Sequence, residues 1–187
     1  MRKWLIVVIA LAVLLAGWSP ASKEPEGLAL VRVLGVDGAG PVVLTAVCGG
    51  EDQEDPSRGQ CAGTDFDGAL SGLPWAGGRS ELSLTSVSWL IVGRDVDLET
   101  VLTAALRDEE IAAAATVWRA EEGAAELLER CDDPASALEL LERRGIEAPT
   151  VVQALAALEK EELALPLLAG RREGPILLDW EEWGMLS

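Results

Sequence analysis

The sequence contains no histidine and no tyrosine, and its 187 residues include only three cysteines. Without histidine, the chain cannot form a Ser-His-Asp or Cys-His catalytic arrangement or a histidine-bearing zinc site, and it lacks the commonest general base. Three cysteines are too few for a four-cysteine zinc site within one chain. These absences favour a protein that is not an enzyme and that carries no metal or cofactor.

Basic residues are also scarce, because 15 lysines and arginines stand against 32 acids and leave a net charge of −17 at pH 7. Nucleic acids and anionic lipid head groups repel such a surface, so we expect no nucleic-acid partner. Hydrophobic residues make up 49% of the chain, which is enough for the core of one domain of ordinary size.

Residues 1–21 have the features of a targeting segment. Arg2 and Lys3 precede an unbroken apolar run over residues 4–18, and Ser19 and Ala21 supply small residues for cleavage after Ala21. The run is longer than most signal-peptide cores and shorter than the roughly 20 residues of a membrane-spanning helix, so a cleaved signal peptide and an uncleaved apolar anchor helix both fit. The preceding positive charge places the rest of the chain, residues 22–187, outside the cytoplasm.

The fold is predicted around residues 81–108. Residues 82–93 are rich in β-branched and aromatic side chains and predict a strand, and residues 98–106 carry an apolar stripe of helical period. Asp95 or Asp97 is placed to cap that helix, and residues 112–118 predict a second, parallel strand. We therefore expect an α+β domain, a single mixed β-sheet with a central β-α-β unit and helices packed on it.

The remaining elements are predicted from shorter signals. Residues 28–36 and 42–47 predict a hairpin, and Pro166 makes residues 163–168 an edge strand, because proline cannot donate to a ladder. The other predicted elements are a helix at 64–71 capped by Thr64 or Asp65, a helix at 121–130, a helix capped by Asp133 and ending at Gly145, a helix opened by Pro149 with Val151, Val152, Leu155 and Leu158 facing inward, and a last strand at 176–180.

Residues 48–63 are the least structured stretch, and within it residues 49–60 have no apolar period and predict an exposed acidic loop. Cys48 and Cys61 bracket this loop, and outside the cytoplasm they are candidates for a disulfide, with two free thiols as the alternative. Cys131 would then be a buried apolar residue. The carboxylates of the loop suit calcium, although the spacing of an EF-hand is absent.

Paired carboxylates are the remaining route to catalysis. Asp65 with Asp67, or Glu51 with Asp55, could support an anchored or secreted hydrolase through acid–base chemistry. The same residues are also explained as a helix cap and a solvated loop.

Several stretches, in order, resemble the N-terminal domain of the Ger(x)C family, the C-subunit lipoproteins of spore germinant receptors. The leader ends in Leu15-Ala16-Gly17, as a lipoprotein signal does. The other stretches that carry the resemblance are residues 33–37, 43–47, 64–70, 87–93, 106–110, 117–120, 124–128, 163–168 and 176–180.

The resemblance implies a function and also shows two departures. Trp18 stands where the family has its acylated cysteine, which makes Leu15, Ala16, Gly17 and Trp18 a degenerate lipobox. The chain also ends where the family's two further domains would begin, so we expect a single-domain relative. The family has no catalytic residues. Its members are attached to the outer face of the cytoplasmic or spore inner membrane, where they assemble with two integral-membrane partners and help spores respond to nutrients.

Two other functions stay open from the sequence: the carboxylate-dependent hydrolase, and an envelope module that binds calcium or another small ligand through its acidic loop.

Overall fold

The computed structural model describes residues 29–38, 40–49, 57–73, 82–109 and 111–183. Within this part of the chain, eight strands form one mixed sheet that is packed with five helices, which confirms the predicted fold class. The strands are β1 (Ala29–Asp37), β2 (Val42–Cys48), β3 (Ser57–Gly63), β4 (Leu82–Ser83), β5 (Trp89–Val92), β6 (Thr116–Ala120), β7 (Leu163–Ala169) and β8 (Ile176–Trp183). The helices are α1 (Phe66–Ser71), α2 (Leu98–Arg107), α3 (Ala124–Arg130), α4 (Pro134–Arg143) and α5 (Val151–Leu158). The predicted N-terminal helix lies outside the described residues.

The sheet has the strand order β3-β2-β1-β5-β6-β7-β8, with β4 beside the start of β1. β1, β5, β6 and β7 are parallel, whereas β2, β3 and β8 run antiparallel to their neighbours. The predicted hairpin is β1–β2, and the predicted β-α-β unit is β5–α2–β6.

Helices cover both faces of the sheet. One apolar cluster joins α1, α2 and α5 to the sheet, and a second joins α3 and α4 to its other face. The parallel strands are therefore buried on both sides, as continuous apolar runs such as residues 89–92 require. Trp89 and Trp118 are both buried in the second cluster.

Local capping signals predicted helix starts correctly. The Asp97 side chain accepts a hydrogen bond from the backbone N–H of Thr100, and Asp65 does the same for Gly68. Asp133 caps α4, whose first residue is Pro134. Gly145 follows that helix with a φ of 89°, a conformation that costs little only for glycine.

The predicted strand at residues 82–93 is interrupted. Leu84 C=O accepts a hydrogen bond from Val87 N–H at 3.0 Å, which closes a turn between β4 and β5. Leu84 and Val87 are both buried in the same cluster. Two residues three positions apart point to opposite faces of a continuous strand, so the turn is what lets both reach the core.

The prediction of an exposed loop over residues 49–60 is wrong for residues 57–60. Residues 57–63 form β3, and all seven pair with β2. This segment lacks β-branched and aromatic side chains, so its pairing comes from non-local contacts. The Arg58 guanidinium, for example, donates to the backbone carbonyls of Cys131 and Asp132.

Other differences are smaller. Residues 112–115 form a turn instead of the start of β6, closed by a hydrogen bond from Ala115 N–H to Ala112 C=O. α5 starts after Thr150, which forms a capping box with Gln153, rather than at Pro149. Val152 was expected to face inward and is 51% exposed, because the helix turns its Val151 and Ala154 face to the core.

β7 is not an edge strand, since it lies between β6 and β8. However, β6 pairs only with Leu167 and Leu168 of β7. Pro166 immediately precedes that pairing, and its missing N–H therefore removes no bond to β6.

The predicted disulfide does not form. The β2–β3 register places Cys61 opposite Leu44 and Cys48 opposite Ser57, and both thiols are free. The two cysteines are thus offset by four positions along the ladder, or about 13 Å, whereas a disulfide needs Cα atoms about 4.4–6.8 Å apart. Burial raises the pKa of the Cys48 thiol to about 12 and also raises that of Cys131.

One carboxylate joins the sheet to the helical layer at the carboxyl ends of the parallel strands. Oδ1 of Asp37, the last residue of β1, accepts from Ala124 N–H, and Oδ2 accepts from Ala125 N–H, both at 2.7 Å. A side chain on Gly93 would meet Asp37 Oδ1 at 1.8 Å, so glycine is what lets this carboxylate reach the N-terminus of α3.

We predict that Asp37→Ala lowers the free energy of unfolding by about 2 kcal/mol, because two charge-assisted hydrogen bonds are lost. Asp37→Asn should lose about 1 kcal/mol, since the amide oxygen still accepts one bond. Urea unfolding followed by tryptophan fluorescence measures both. The control is Asp95→Ala, in an exposed turn of the same edge, which should change stability by less than about 0.5 kcal/mol. Equal losses in the two alanine variants would contradict the capping role of Asp37.

We predict that iodoacetamide at pH 8 modifies one thiol in the native chain and three in urea without reductant. Cys61 is the partly exposed cysteine, whereas Cys48 and Cys131 are buried and their raised pKa values keep them protonated. Intact-mass spectrometry counts the adducts, and Cys61→Ser should abolish the native one. A single adduct in urea would show a disulfide and contradict the β2–β3 register.

Candidate functional site

An open groove of about 690 Å³ lies at the amino ends of β6 and β7. We call it the amino-edge groove. Its walls come from the start of β6, the end of α4, the α4–α5 connection, one side of α5 and the start of β7. The lining residues are Thr116, Glu142, Ile146, Glu147, Ala148, Pro149, Gln153, Ala157, Glu162, Leu163 and Ala164.

The groove exists because β6 and β7 pair only at their carboxyl ends, through Arg119 with Leu167 and Ala120 with Leu168. At the amino end of β6 the α4–α5 connection takes the place of β7. Val117 N–H donates to Pro149 C=O at 2.8 Å, and Val151 N–H donates to Ala115 C=O at 2.9 Å. The first residues of β7 therefore diverge from β6 and form the opposite wall.

A network of side chains fixes Glu142 at the floor of the groove. Its Oε1 accepts from the indole Nε1 of Trp89 at 3.0 Å and from the hydroxyl of Thr116 at 3.1 Å. The Thr116 hydroxyl oxygen in turn accepts from Trp118 Nε1 at 2.9 Å. The Arg32 guanidinium lies 5.3 Å from the centre of the Trp89 ring. Both bonds to Glu142 use Oε1, and among the described residues no hydrogen bond engages Oε2.

Glu142 was not singled out from the sequence, although a signal for it exists. It follows buried Leu138 by four residues on α4, so it falls on the face of the helix that packs against the sheet. An acid on the apolar stripe of an amphipathic helix needs a partner, and buried indoles need an acceptor. The sequence does not show which tryptophans meet which acid, because 53 positions separate Trp89 from Glu142.

A second cavity of about 340 Å³ adjoins the first and shares Thr116 and Glu142 with it. The shared carboxylate thus faces both cavities. In the amino-edge groove, Glu147 and Glu162 add two further carboxylates, and the described lining includes no lysine or arginine. Three carboxylates without a basic residue in the described lining favour a cation over an anion in the groove.

The carboxyl edge of the parallel strands, where open α/β sheets usually bind ligands, is filled by contacts of the chain itself. Arg119 is buried there and donates to the backbone carbonyls of Gly93 and Arg94. Glu122 accepts from Gly170 N–H and pairs with Arg130, each at 3.1 Å. Together with the cap formed by Asp37, these bonds occupy the groups that a ligand would need.

The predicted carboxylate pairs are not brought into one enclosed site. Asp65 and Asp67 are exposed and line a shallow cavity of about 300 Å³ between α1 and α2, with Glu99 and Arg107. Asp65 is engaged as the cap of α1. Glu51 and Asp55, with the other two acids of the loop proposed for calcium, lie outside the described residues. Within the described part of the chain, no group of three or more acids or cysteines is arranged to hold a metal ion.

The predicted leader lies in a part of the chain that the structure does not describe. Residues 1–21, including the degenerate lipobox Leu15, Ala16, Gly17 and Trp18, lie outside the described ranges. Among the helices that are described, none combines the length and the apolarity needed to span a membrane.

Comparison with protein-family models, with curated proteins and with solved structures found no match to this chain. The amino-edge groove and its chemistry therefore have to be interpreted from the residues themselves.

We predict that Glu142→Ala lowers the free energy of unfolding by about 2 kcal/mol, because the Trp89 indole N–H loses its acceptor. Glu142→Gln keeps an oxygen at the same place and should lose less than about 1 kcal/mol. Urea unfolding measures the difference. Glu147→Ala, in the same groove and exposed, is the control and should stay within about 0.5 kcal/mol of the parent. A Glu142→Gln loss as large as that of Glu142→Ala would exclude the proposed hydrogen bonds as its cause.

Proposed function

We propose that this chain is a non-enzymatic interaction subunit held at the outer face of the cytoplasmic or spore inner membrane. It acts in spore germination, in the manner of a germinant-receptor C-subunit. Its partners are integral-membrane subunits, and its own contribution is a surface that binds them. The apolar leader, residues 1–21, either anchors the domain or directs its export.

The amino-edge groove is the observation that carries this proposal. It is open to solvent, it combines apolar walls with carboxylates, and its central carboxylate is held by two hydrogen bonds. A carboxylate fixed in this way is suited to accept hydrogen bonds from a cationic partner, because little ordering remains to be done on binding. Part of the wall comes from α4, α5 and the starts of β6 and β7, and the α4–α5 connection is fixed to β6 by two backbone hydrogen bonds.

The order of elements supports the resemblance on which the germination role rests. A hairpin comes first, then β3 and α1, then the β5–α2–β6 unit, then three helices, and finally an antiparallel pair of strands. The similar stretches of sequence follow this order, although β3, α4 and α5 carry none of them. Most of those stretches lie within strands and helices, so the resemblance is one of structural framework.

The proposal predicts where the full chain is found in an endospore-forming host. With a C-terminal affinity tag, it should sediment with membranes, resist a carbonate wash and dissolve in mild detergent, because an apolar leader holds it. Purified after crosslinking, it should bring polytopic membrane proteins with it, identified by mass spectrometry. A cleaved, freely secreted monomer with no membrane-bound fraction would refute the proposal.

A matched variant tests the leader. Trp18→Cys completes the lipobox, so this variant should incorporate an alkyne-labelled fatty acid while the parent incorporates none. Gly17→Leu in the same variant alters the residue before the cysteine and should reduce the labelling. Absence of labelling in Trp18→Cys would show that the leader is not of lipoprotein type.

A further inference from the structure

The charge of the amino-edge groove selects its ligand. Glu142, Glu147 and Glu162 come from three different segments and face one cavity, with no basic side chain among the described residues of its lining. The whole chain carries a net charge of −17, which includes these three glutamates. Such a cavity attracts cations and repels carboxylates and phosphates.

The apolar walls of the groove set a second requirement for its ligand. Ile146, Pro149 and Leu163 give the groove an apolar lining beside its acids. Lysine and arginine match this combination, since their stems pack on apolar surface while their charged ends reach a carboxylate.

We propose that the amino-edge groove binds a short basic segment of a partner protein, in which arginine or lysine alternates with apolar residues. One cationic side chain meets Oε2 of Glu142, and its neighbours meet Glu147 and Glu162. This inference rests on the proposed function and assigns the partner-binding site to that function.

The size of the groove favours a segment over a small amine. A volume of about 690 Å³, continued by the adjoining cavity of about 340 Å³, is in the range of pockets that hold a drug-sized ligand, which is larger than a simple amine. The three glutamates also lie on separate segments, so a single ammonium group would satisfy only part of the site.

The test is fluorescence anisotropy with the full chain in detergent micelles and a fluorescein-labelled peptide of alternating arginine and leucine. We expect saturable binding that weakens as salt rises, because charge drives it. A peptide with glutamate in place of each arginine should not bind, and one with glycine in place of each leucine should bind more weakly. Absence of saturable binding by the arginine–leucine peptide would overturn the proposal.

Charge-matched variants separate the groove from the general acidity of the chain. Glu147→Gln with Glu162→Gln should weaken peptide binding about tenfold, since an exposed ion pair contributes about threefold. Glu129→Gln with Glu173→Gln removes the same charge from exposed positions outside the groove and should change affinity less than twofold. Equal losses in the two double variants would place binding outside the groove and refute the proposal.

A small cationic ligand is tested in the same assay by competition. Arginine amide should displace the peptide only at concentrations at least a hundredfold higher than the unlabelled peptide itself. Displacement at similar concentrations would assign the groove to a free amine instead. Because this assay does not depend on membrane attachment, its failure and failure of the membrane fractionation can be told apart.

Discussion

The sheet is continuous only because two residues of β6, Arg119 and Ala120, pair with β7. Every other feature of the candidate site follows from this short pairing. Because β7 joins β6 only at Leu167, the edge of β6 is free at its amino end. The α4–α5 connection bonds to this free edge through Pro149 C=O. The gap between that connection and β7 becomes a cavity rather than a continuous ladder. A longer β6–β7 pairing would close the groove and direct Glu142 into a space already filled by backbone.

The two ends of the parallel strands have different roles in consequence. At the carboxyl end, Asp37 and Arg119 use charged groups to hold strands, turns and α3 together. Those bonds stabilise the fold, but they leave few free donors or acceptors for a ligand. At the amino end, Glu142 is held through one oxygen only. Parallel sheets usually bind ligands at the carboxyl end, so the placement of this groove reflects which edge the chain's own charges have left open.

The sequence predicted the structural features that depend on residues close together in the chain. The caps at Asp97 and Asp133 and the β1–β2 hairpin depend on residues a few positions apart, so their signals are visible in a single chain. β3 and the turn between Leu84 and Val87 depend on contacts with distant elements, and segment composition indicated neither. The disulfide prediction failed for the same reason, because cysteine spacing says nothing about strand register. The groove was missed because it needs β7 to diverge from β6, which only the assembled sheet shows.

At the proposed binding site, recognition would be coupled to stability through Glu142. Trp89 and Trp118 are buried for packing, and each indole N–H then requires an acceptor. With no histidine or tyrosine in the chain, a carboxylate and a threonine hydroxyl meet that requirement. Oε1 of the acid therefore belongs to the core, while the carboxylate also lines the groove. A cation bound in the proposed site would be attracted to a charge that the core already holds in position, so binding would add to the stability of the folded chain with the logarithm of ligand concentration once the site is nearly saturated.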